Sequence, residues 1–356
     1  MLSADLPEEI VEEISMRLPV KFLLRCKSVT KSLYAQITNS SFITRQFEWS
    51  DSITKNRRHQ LIFRLHNASL KPCISLISDQ KPIDMEVPFP EKDVQYIFVY
   101  GQCNRIFCLY GVYGGDKAGE ASMILWNPGT KEVKVLPVSQ NQQRDMVYII
   151  YGFGIDPITK DYKVVPFGNL AFEGREQPPI EVYNLSTGSW RIIDSTVPAF
   201  RLCYPKCRAY VNGFYHWITE DNNDKAILFF DFSNEVFGKI RLPPEIDQSY
   251  ESNVAVIDEK LACVATYKMI NCRYEIWVMN EYGVESSWSK KFVIGPNPEF
   301  GSFLGFWGDD KILVENEGHL VSYNIKNQKI QRFEIHGVPK LFKVFDYLES
   351  LVPFKS

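Results

Sequence analysis

The chain has 356 residues, of which 45% are hydrophobic and 14% aromatic, and its formal net charge is −3. That composition supports a sizeable core and excludes a disordered chain, and at roughly 150 residues per domain the length suggests about two domains. The 40 Lys and Arg against 43 Asp and Glu leave no basic footprint for nucleic acid, and no apolar run reaches the ~18 residues of a membrane span.

Residues 1–47 read as helices. Asp5 predicts an N-cap, with Glu8 three residues on at the spacing of a reciprocal capping box. Pro7 is tolerated in a first turn, where amides lack intrahelical acceptors. Glu8, Glu9, Glu12 and Glu13 lie towards the positive end of the helix dipole. Leu6, Ile10, Val11, Ile14 and Leu18 recur at helical spacing, and Pro19 ends the helix. Phe22, Leu23 and Leu24 open a second helix; Val29, Leu33, Tyr34 and Ile37 mark a third, which Ser40-Ser41 closes before Phe42. Three short helices in about forty residues are too little for an independent core. Their apolar surface therefore either caps the chain's own β domain or docks on a partner.

Residues 48–58 read as a linker, polar and charged over Ser50 to Arg58. From residue 59 to the end, short apolar runs alternate with turn residues, which is the all-β pattern. Five of these runs end in Asn or Asp, at Asn127, Asn184, Asp231, Asn280 and Asn324, at intervals of 57, 47, 49 and 44 residues. Such residues favour turns because their side chains bond nearby backbone. A second strand then opens on Val133, Trp190, Phe237, Trp288 and Ile330. This period is blade-sized for a β-propeller, with an irregular β-sandwich as the alternative. The pattern predicts a sixth blade closed jointly by Gln60 to Val99 and Leu341 to Val352, which would tie the ring without open edges. The fold expected is thus α+β multidomain, a small all-α segment followed by an all-β propeller-like domain of about six blades over residues 59–356.

Chemistry-bearing motifs are sparse. His59, His66, His216, His319 and His336 form no HExxH and no closely spaced ligand pair, and His216 reads as a packing residue within a strand. Cys203 with Cys207, and Cys103 with Cys108, could belong to a zinc site, but no second matching pair follows and structural thiols are expected. No apolar h-region precedes the helices, so the eight cysteines are expected to be reduced, in the cytoplasm and/or nucleus, and the sequons at Asn39, Asn67 and Asn184 to be chance matches. The glycines at 111, 114, 115 and 119 lack a following Lys-Ser/Thr pair and read as a hairpin loop. There is no GxSxG, and Glu251, Asp258 and Glu259 have no paired role. No cofactor or metal is expected.

Leu6-Pro7-Glu8-Glu9-Ile10, Ile14-Ser15-Met16-Arg17-Leu18-Pro19-Val20-Lys21 and Leu24 to Ser32, closed by Phe42, resemble an F-box in order and spacing. Plant F-boxes usually carry Trp where this chain has Leu33; the position stays apolar, with weaker packing expected. The repeat region resembles the F-box-associated domain of plant F-box proteins, through Leu125 to Thr130 with Leu136-Pro137, Gly152 to Asp156 with Asp161 to Val165, Val182-Tyr183 with Ser189 to Arg191, and Asn212-Gly213 with His216-Trp217. Ile276 to Met279, Glu281 to Val284, Ser287-Trp288, Gly318 to Leu320, Ile335 to Gly337 and Tyr347 to Leu351 are similar to its S-locus branch.

The resemblance implies a non-catalytic substrate-recognition subunit of a Skp–cullin–F-box ubiquitin ligase. Leu6, Pro7, Ile10, Ile14, Leu18, Pro19, Leu23 and Val29 would dock on a Skp-type adaptor and, through it, a cullin, with Leu6, Pro7 and Leu18 as the main anchors. The propeller would hold an unidentified target protein through loops such as Ser139 to Asp145, Gly168 to Pro178, Thr219 to Lys225, Glu245 to Ser252 and Gly295 to Phe300. In the S-locus branch the targets would be pistil ribonucleases, in pollen. The rival readings are a binding scaffold outside ubiquitin chemistry and a propeller enzyme acting on a carbohydrate or small molecule.

Overall fold

Each Asn or Asp anchor marks the end of a blade's third strand, and the hairpin that follows is the outer half of that blade. A computed structural model describes residues 6–54, 59–78, 81–89, 93–115, 120–140, 149–168, 179–197, 201–202, 209–221, 224–246, 251–268 and 272–354. Four helices come first: α1 (Glu8–Met16), α2 (Val20–Cys26), α3 (Lys31–Thr38) and α4 (Ser40–Thr54). Six antiparallel sheets follow.

The first blade holds β1 (His59–Leu65), β2 (Pro72–Ile77) and β3 (Ile83–Met85), and the second β4 (Val94–Cys103), β5 (Ile106–Tyr113), β6 (Ala121–Asn127) and β7 (Glu132–Val135). The third holds β8 (Ile149–Ile155), β9 (Tyr162–Gly168), β10 (Ile180–Asn184) and β11 (Ser189–Ile193). The fourth holds β12 (Arg201–Leu202), β13 (Ala209–Val211), β14 (Phe214–Asp221), β15 (Asp224–Asp231) and β16 (Val236–Arg241). The fifth holds β17 (Glu251–Ile257), β18 (Lys260–Lys268), β19 (Cys272–Met279) and β20 (Trp288–Asn297), and the sixth β21 (Ser302–Trp307), β22 (Lys311–Asn316), β23 (His319–Asn324) and β24 (Ile330–His336). The chain's last strand, β25 (Lys343–Tyr347), returns to pair with β1, in register from His59 opposite Tyr347 to Phe63 opposite Lys343.

The apolar runs are continuous because each sheet is buried on both faces. Six apolar clusters fill the six gaps between neighbouring blades: for example Leu125 with Tyr151 between the second and third, and Ile62 with Leu313 between the sixth and first. The middle strands β18 and β19 are buried almost throughout, whereas the outer strands β7 and β24 are mostly exposed and carry charge. The anchors work by the expected mechanism at three sites. Asn127 Oδ1 accepts the amides of Gly129 and Thr130, Asp231 Oδ1 those of Ser233 and Asn234, and Asn324 Oδ1 those of Lys326 and Asn327. Four residues past an anchor the backbone turns left-handed, at Lys131, Gly188, Glu235 and Gln328. Trp288 lies two residues later than its counterparts because a 3-10 turn, Glu285–Ser287, is inserted before it.

Three boundaries differ from the sequence reading. The first blade ends at Met85, and Val94 to Val99 already belong to the second. Of Leu341 to Val352 only Lys343–Tyr347 is strand; the rest is a tail. Ser40-Ser41 begin a helix instead of closing one: Asn39 Oδ1 accepts the Ser41 and Phe42 amides as an N-cap, and α4 runs through most of the expected linker, to Thr54. Asp5, read as the first cap, lies outside the described residues, and Pro7 occupies the N-cap position.

A buried ionic knot joins the third and fourth blades. Lys163 Nζ donates to Asp156 Oδ2 (3.0 Å), to Glu235 Oε1 (2.9 Å) and to the Phe232 carbonyl (2.8 Å). Burial pushes the Asp156 carboxyl up, but hydrogen bonds from Lys163, Thr159 and the Ile158 and Thr159 amides outweigh it and hold the group well below the usual carboxylate range. A carboxyl depressed in the folded state stabilises above its unfolded pKa of about 3.9, and that contribution is lost as pH falls through the folded value. Asp156→Asn is therefore expected to lower unfolding stability by about 1–3 kcal/mol at pH 7, with the difference from the parent shrinking in acid, as measured by urea denaturation at pH 7 and pH 3.

Candidate docking surfaces

The helical module has its own small core. Val20, Leu23, Ile37, Phe42 and Ile43 pack together, and Leu351 from the C-terminal tail completes them. Thr30 caps α3, its hydroxyl accepting the Leu33 amide. Leu33, at the position where the sequence departs from the pattern it resembles, packs partly buried against this core.

The expected docking residues divide into two groups. Leu6 is 58% exposed, Ile10 46% and Ile14 48%; Ile10 and Ile14, four residues apart, share one side of α1, and Leu6 precedes its N-cap Pro7. Pro7 and Pro19 are exposed, as is Val29 at the turn between α2 and α3. Leu18 is half-buried against the module's core, and Leu23 is 0% exposed. Leu23 is thus corrected from a docking residue to an internal one. Its neighbour Phe22 is exposed instead, as is Tyr34 on α3. That the two differ follows from helix geometry, since successive helical residues point about 100° apart; which of them faces outward is set by the core they pack on.

Among the described residues, the C-terminal tail and the β4–β5 turn brace the module to the propeller. After β25 the tail runs to Phe354, and the buried Asn127 holds it, Nδ2 donating to the carbonyls of Ser350 (3.0 Å) and Val352 (2.8 Å). Gly129 lets the tail lie close, since a Cβ there would stand 2.9 Å from the Ser350 nitrogen. Glu349 Oε2 accepts the Val20 amide (3.1 Å) at the start of α2, and Leu351 enters the helical core. Arg105, in the β4–β5 turn, pairs with Asp51 of α4 and lies over the Phe47 ring at 5.6 Å.

These contacts define the two ends of the ring. The module sits on the end made by the first-to-second and third-to-fourth strand turns of each blade, where the tight Asx turns lie. The opposite end carries the second-to-third connections and the passages between blades. All five loops picked from the sequence fall at that opposite end: Ser139 to Asp145 joins β7 to β8, Gly168 to Pro178 joins β9 to β10, Thr219 to Lys225 joins β14 to β15, Glu245 to Ser252 joins β16 to β17, and Gly295 to Phe300 joins β20 to β21. Residues 141–145, 169–178, 222–223 and 247–250 of them lie outside the described residues.

A cavity of ≈ 190 Å³ lies among the inner strands of several blades, lined by Val99, Gln102, Tyr215, Ala255, Phe303 and Asp346 among others. Among the described residues no group of three or more His, Cys, Asp and Glu side chains is placed to hold a metal ion. His216 is fully buried between the fourth and fifth blades, Nδ1 against the Ala209 carbonyl (3.0 Å) and Nε2 against the Tyr282 hydroxyl (2.9 Å). Burial lowers its pKa to about 4, so the ring is neutral and acts in packing. Cys103 and Cys263 are buried thiols pushed up to about 12 by desolvation, unsuited to nucleophilic work. Cys108 and Cys272 are buried as well, Cys272 Sγ donating to the Gly301 carbonyl (3.5 Å), while Cys203 and Cys207 lie outside the described residues.

Comparison with known proteins covers nearly the whole chain. The F-box domain family matches residues 4–45 and the F-box associated beta propeller domain family residues 46–354. F-box protein CPR1 of Arabidopsis thaliana is 24% identical, over 98% of this chain and 89% of its own. An F-box/kelch-repeat protein of the same plant is 28% identical, over 98% of this chain and 95% of its own. Among solved structures, TolB from Acinetobacter baumannii has a TM-score of 0.50 at 10% identity, covering 85% of this chain and 71% of that one, a likeness of fold alone.

The division of α1 and α2 into outer and inner residues is measurable. Leu23→Ala is expected to cost about 2–5 kcal/mol of stability, as a buried Leu truncation does, and Ile10→Ala to stay within about 0.5 kcal/mol. Equilibrium denaturation of the two variants beside the parent reads both values.

Proposed function

The chain belongs to the F-box proteins that carry an F-box associated β-propeller, and from that premise we propose that it is the substrate-recognition subunit of a Skp–cullin–F-box ubiquitin ligase. The observation that carries this reading is the uncovered apolar surface of Ile10 and Ile14 on α1, with Leu6 just before its N-cap. These side chains are spare: the module's own core is complete without them. Half-exposed apolar side chains in a row are what a partner's groove buries, and interfaces concentrate their energy in a few such anchors. The partner proposed is a Skp-type adaptor, which links the chain to a cullin.

The propeller holds the target, and its loop end, turned away from the helical module, is the surface for it. Chemistry stays with other subunits. This chain raises the local concentration of target lysines beside the ubiquitin carrier, an effect of proximity alone. The buried thiols and the neutral His216 agree with a non-catalytic role. We place its action in the cytoplasm and/or nucleus. A pistil ribonuclease as the target rests on the resemblance of the C-terminal segments to the S-locus branch, and affinity capture from style extract on the full chain tests it.

The central test is co-purification of the full chain with adaptor and cullin. Leu6→Ala and Ile10→Ala, singly and together, are expected to reduce adaptor recovery at unchanged thermal stability, with the double change reducing it further. Unchanged recovery in the double variant overturns the proposal.

A further inference from the structure

His319 opens β23 and His336 ends β24, and the two face each other across the ladder in direct register. Seventeen residues apart in sequence, they are neighbours in space: their Nδ1 atoms are 3.0 Å apart, with the rings nearly perpendicular at 86°. Both side chains are exposed. The backbone beneath them is fixed on three sides. The Gly337 amide donates to the Gly318 carbonyl (3.0 Å), the Val338 amide to the Leu65 carbonyl (3.0 Å), and Arg64 Nε to the His336 carbonyl (3.0 Å). Gly318 has a left-handed φ of 82°, and a Cβ there would stand 2.5 Å from the Gly337 carbonyl oxygen, so the close approach of the two strands requires glycine at this position.

The separation of the two nitrogens is that of two ligands on one ion. Imidazole nitrogens bind zinc at about 2.0–2.1 Å, and two of them subtending roughly 90–110° at the metal lie roughly 2.9–3.4 Å apart. We propose that His319 and His336 form a bidentate site for a divalent transition metal ion of the zinc, copper and nickel class. Imidazole suits these borderline ions, whereas magnesium and calcium take oxygen donors. Without metal, one Nδ1–H donates to the other Nδ1 lone pair. On binding, that proton is relocated to Nε2 of its own ring, so that both Nδ1 atoms present lone pairs and both imidazoles remain neutral. The site lies on the outer hairpin of the sixth blade, at the loop end, away from the helical module. Its remaining coordination positions are open to water or to a donor from a bound protein.

The site stands apart from adaptor docking, and its test is separate. The full-length chain, in a non-chelating buffer, is titrated with zinc chloride by isothermal calorimetry, with thermal melting as a second readout. The expected result is one saturable equivalent that raises the melting temperature, lost in His319→Gln and in His336→Gln, and retained in His66→Gln, which changes another exposed imidazole. Circular dichroism verifies that the variants are folded, and magnesium chloride is expected to give no saturable heat. Absence of saturable zinc binding by the parent chain, or binding that persists in both His319→Gln and His336→Gln, overturns the proposal.

Discussion

The clasp between β25 and β1 is the constraint on which the rest of the structure depends. It pairs the end of the propeller with its beginning and leaves no open edge at the seam. Only with that strand in place does the first blade have an inner strand, and only then do Ile62 and Leu313 meet across the last gap of the ring. The same return of the chain sets up the joint with the helical module. The tail leaves β25 at the seam, lies across Asn127, and delivers Leu351 into a core that α2, α3 and α4 cannot complete alone. One segment thus closes the ring and anchors the helices. The helical module is held against the propeller by this packing and these hydrogen bonds. For the proposed role this matters, because holding the two parts together narrows the volume in which a bound target would be presented.

The sequence was most legible where a structural device is local. The Asn and Asp anchors could be read because an Asx turn is made by a side chain and amides two and three residues on. The first blade was not among the five repeats read from the sequence, and its extent was misplaced. The cap of α4 was present in Asn39 but hidden by the serines after it, which favour turns as readily as helix starts. What could not be read were pairings across distance. Asn127 was visible as a turn residue, yet its amide serves carbonyls more than two hundred residues away. Lys163 reaches into the neighbouring blade for Glu235. His319 and His336 formed no motif, because a cross-strand pair depends on register and register depends on the whole hairpin. On α1 and α2 the apolar residues were all legible; their division into inner and outer was not, because it is decided by Ile37, Phe42 and Leu351.

The ionic and polar links between blades are unequal in kind. The third and fourth blades share a buried charge cluster, the fourth and fifth a neutral His216–Tyr282 hydrogen bond, and the sixth and first the Arg64–His336 contact at the rim. The apolar clusters between blades supply the main driving force for closing the ring, since burial of apolar surface is non-directional and accumulates with area. The polar links then set which blade faces meet and at what rotation, because a buried charge or imidazole left without its partner is costly.

Strand parity separates the two working surfaces. In a blade of four antiparallel strands, the first-to-second and third-to-fourth turns always emerge at one end, and the second-to-third connection and the passage to the next blade at the other. The helical module and tail occupy the first end, where Asn127, Gly129 and Arg105 meet them closely. Residues inserted into a connection at the second end do not reach the module, nor do they disturb the pairing that closes the ring. Loops there can therefore change in length and chemistry at little cost to the fold. The topology separates a fixed attachment from a variable surface before any side chain is chosen.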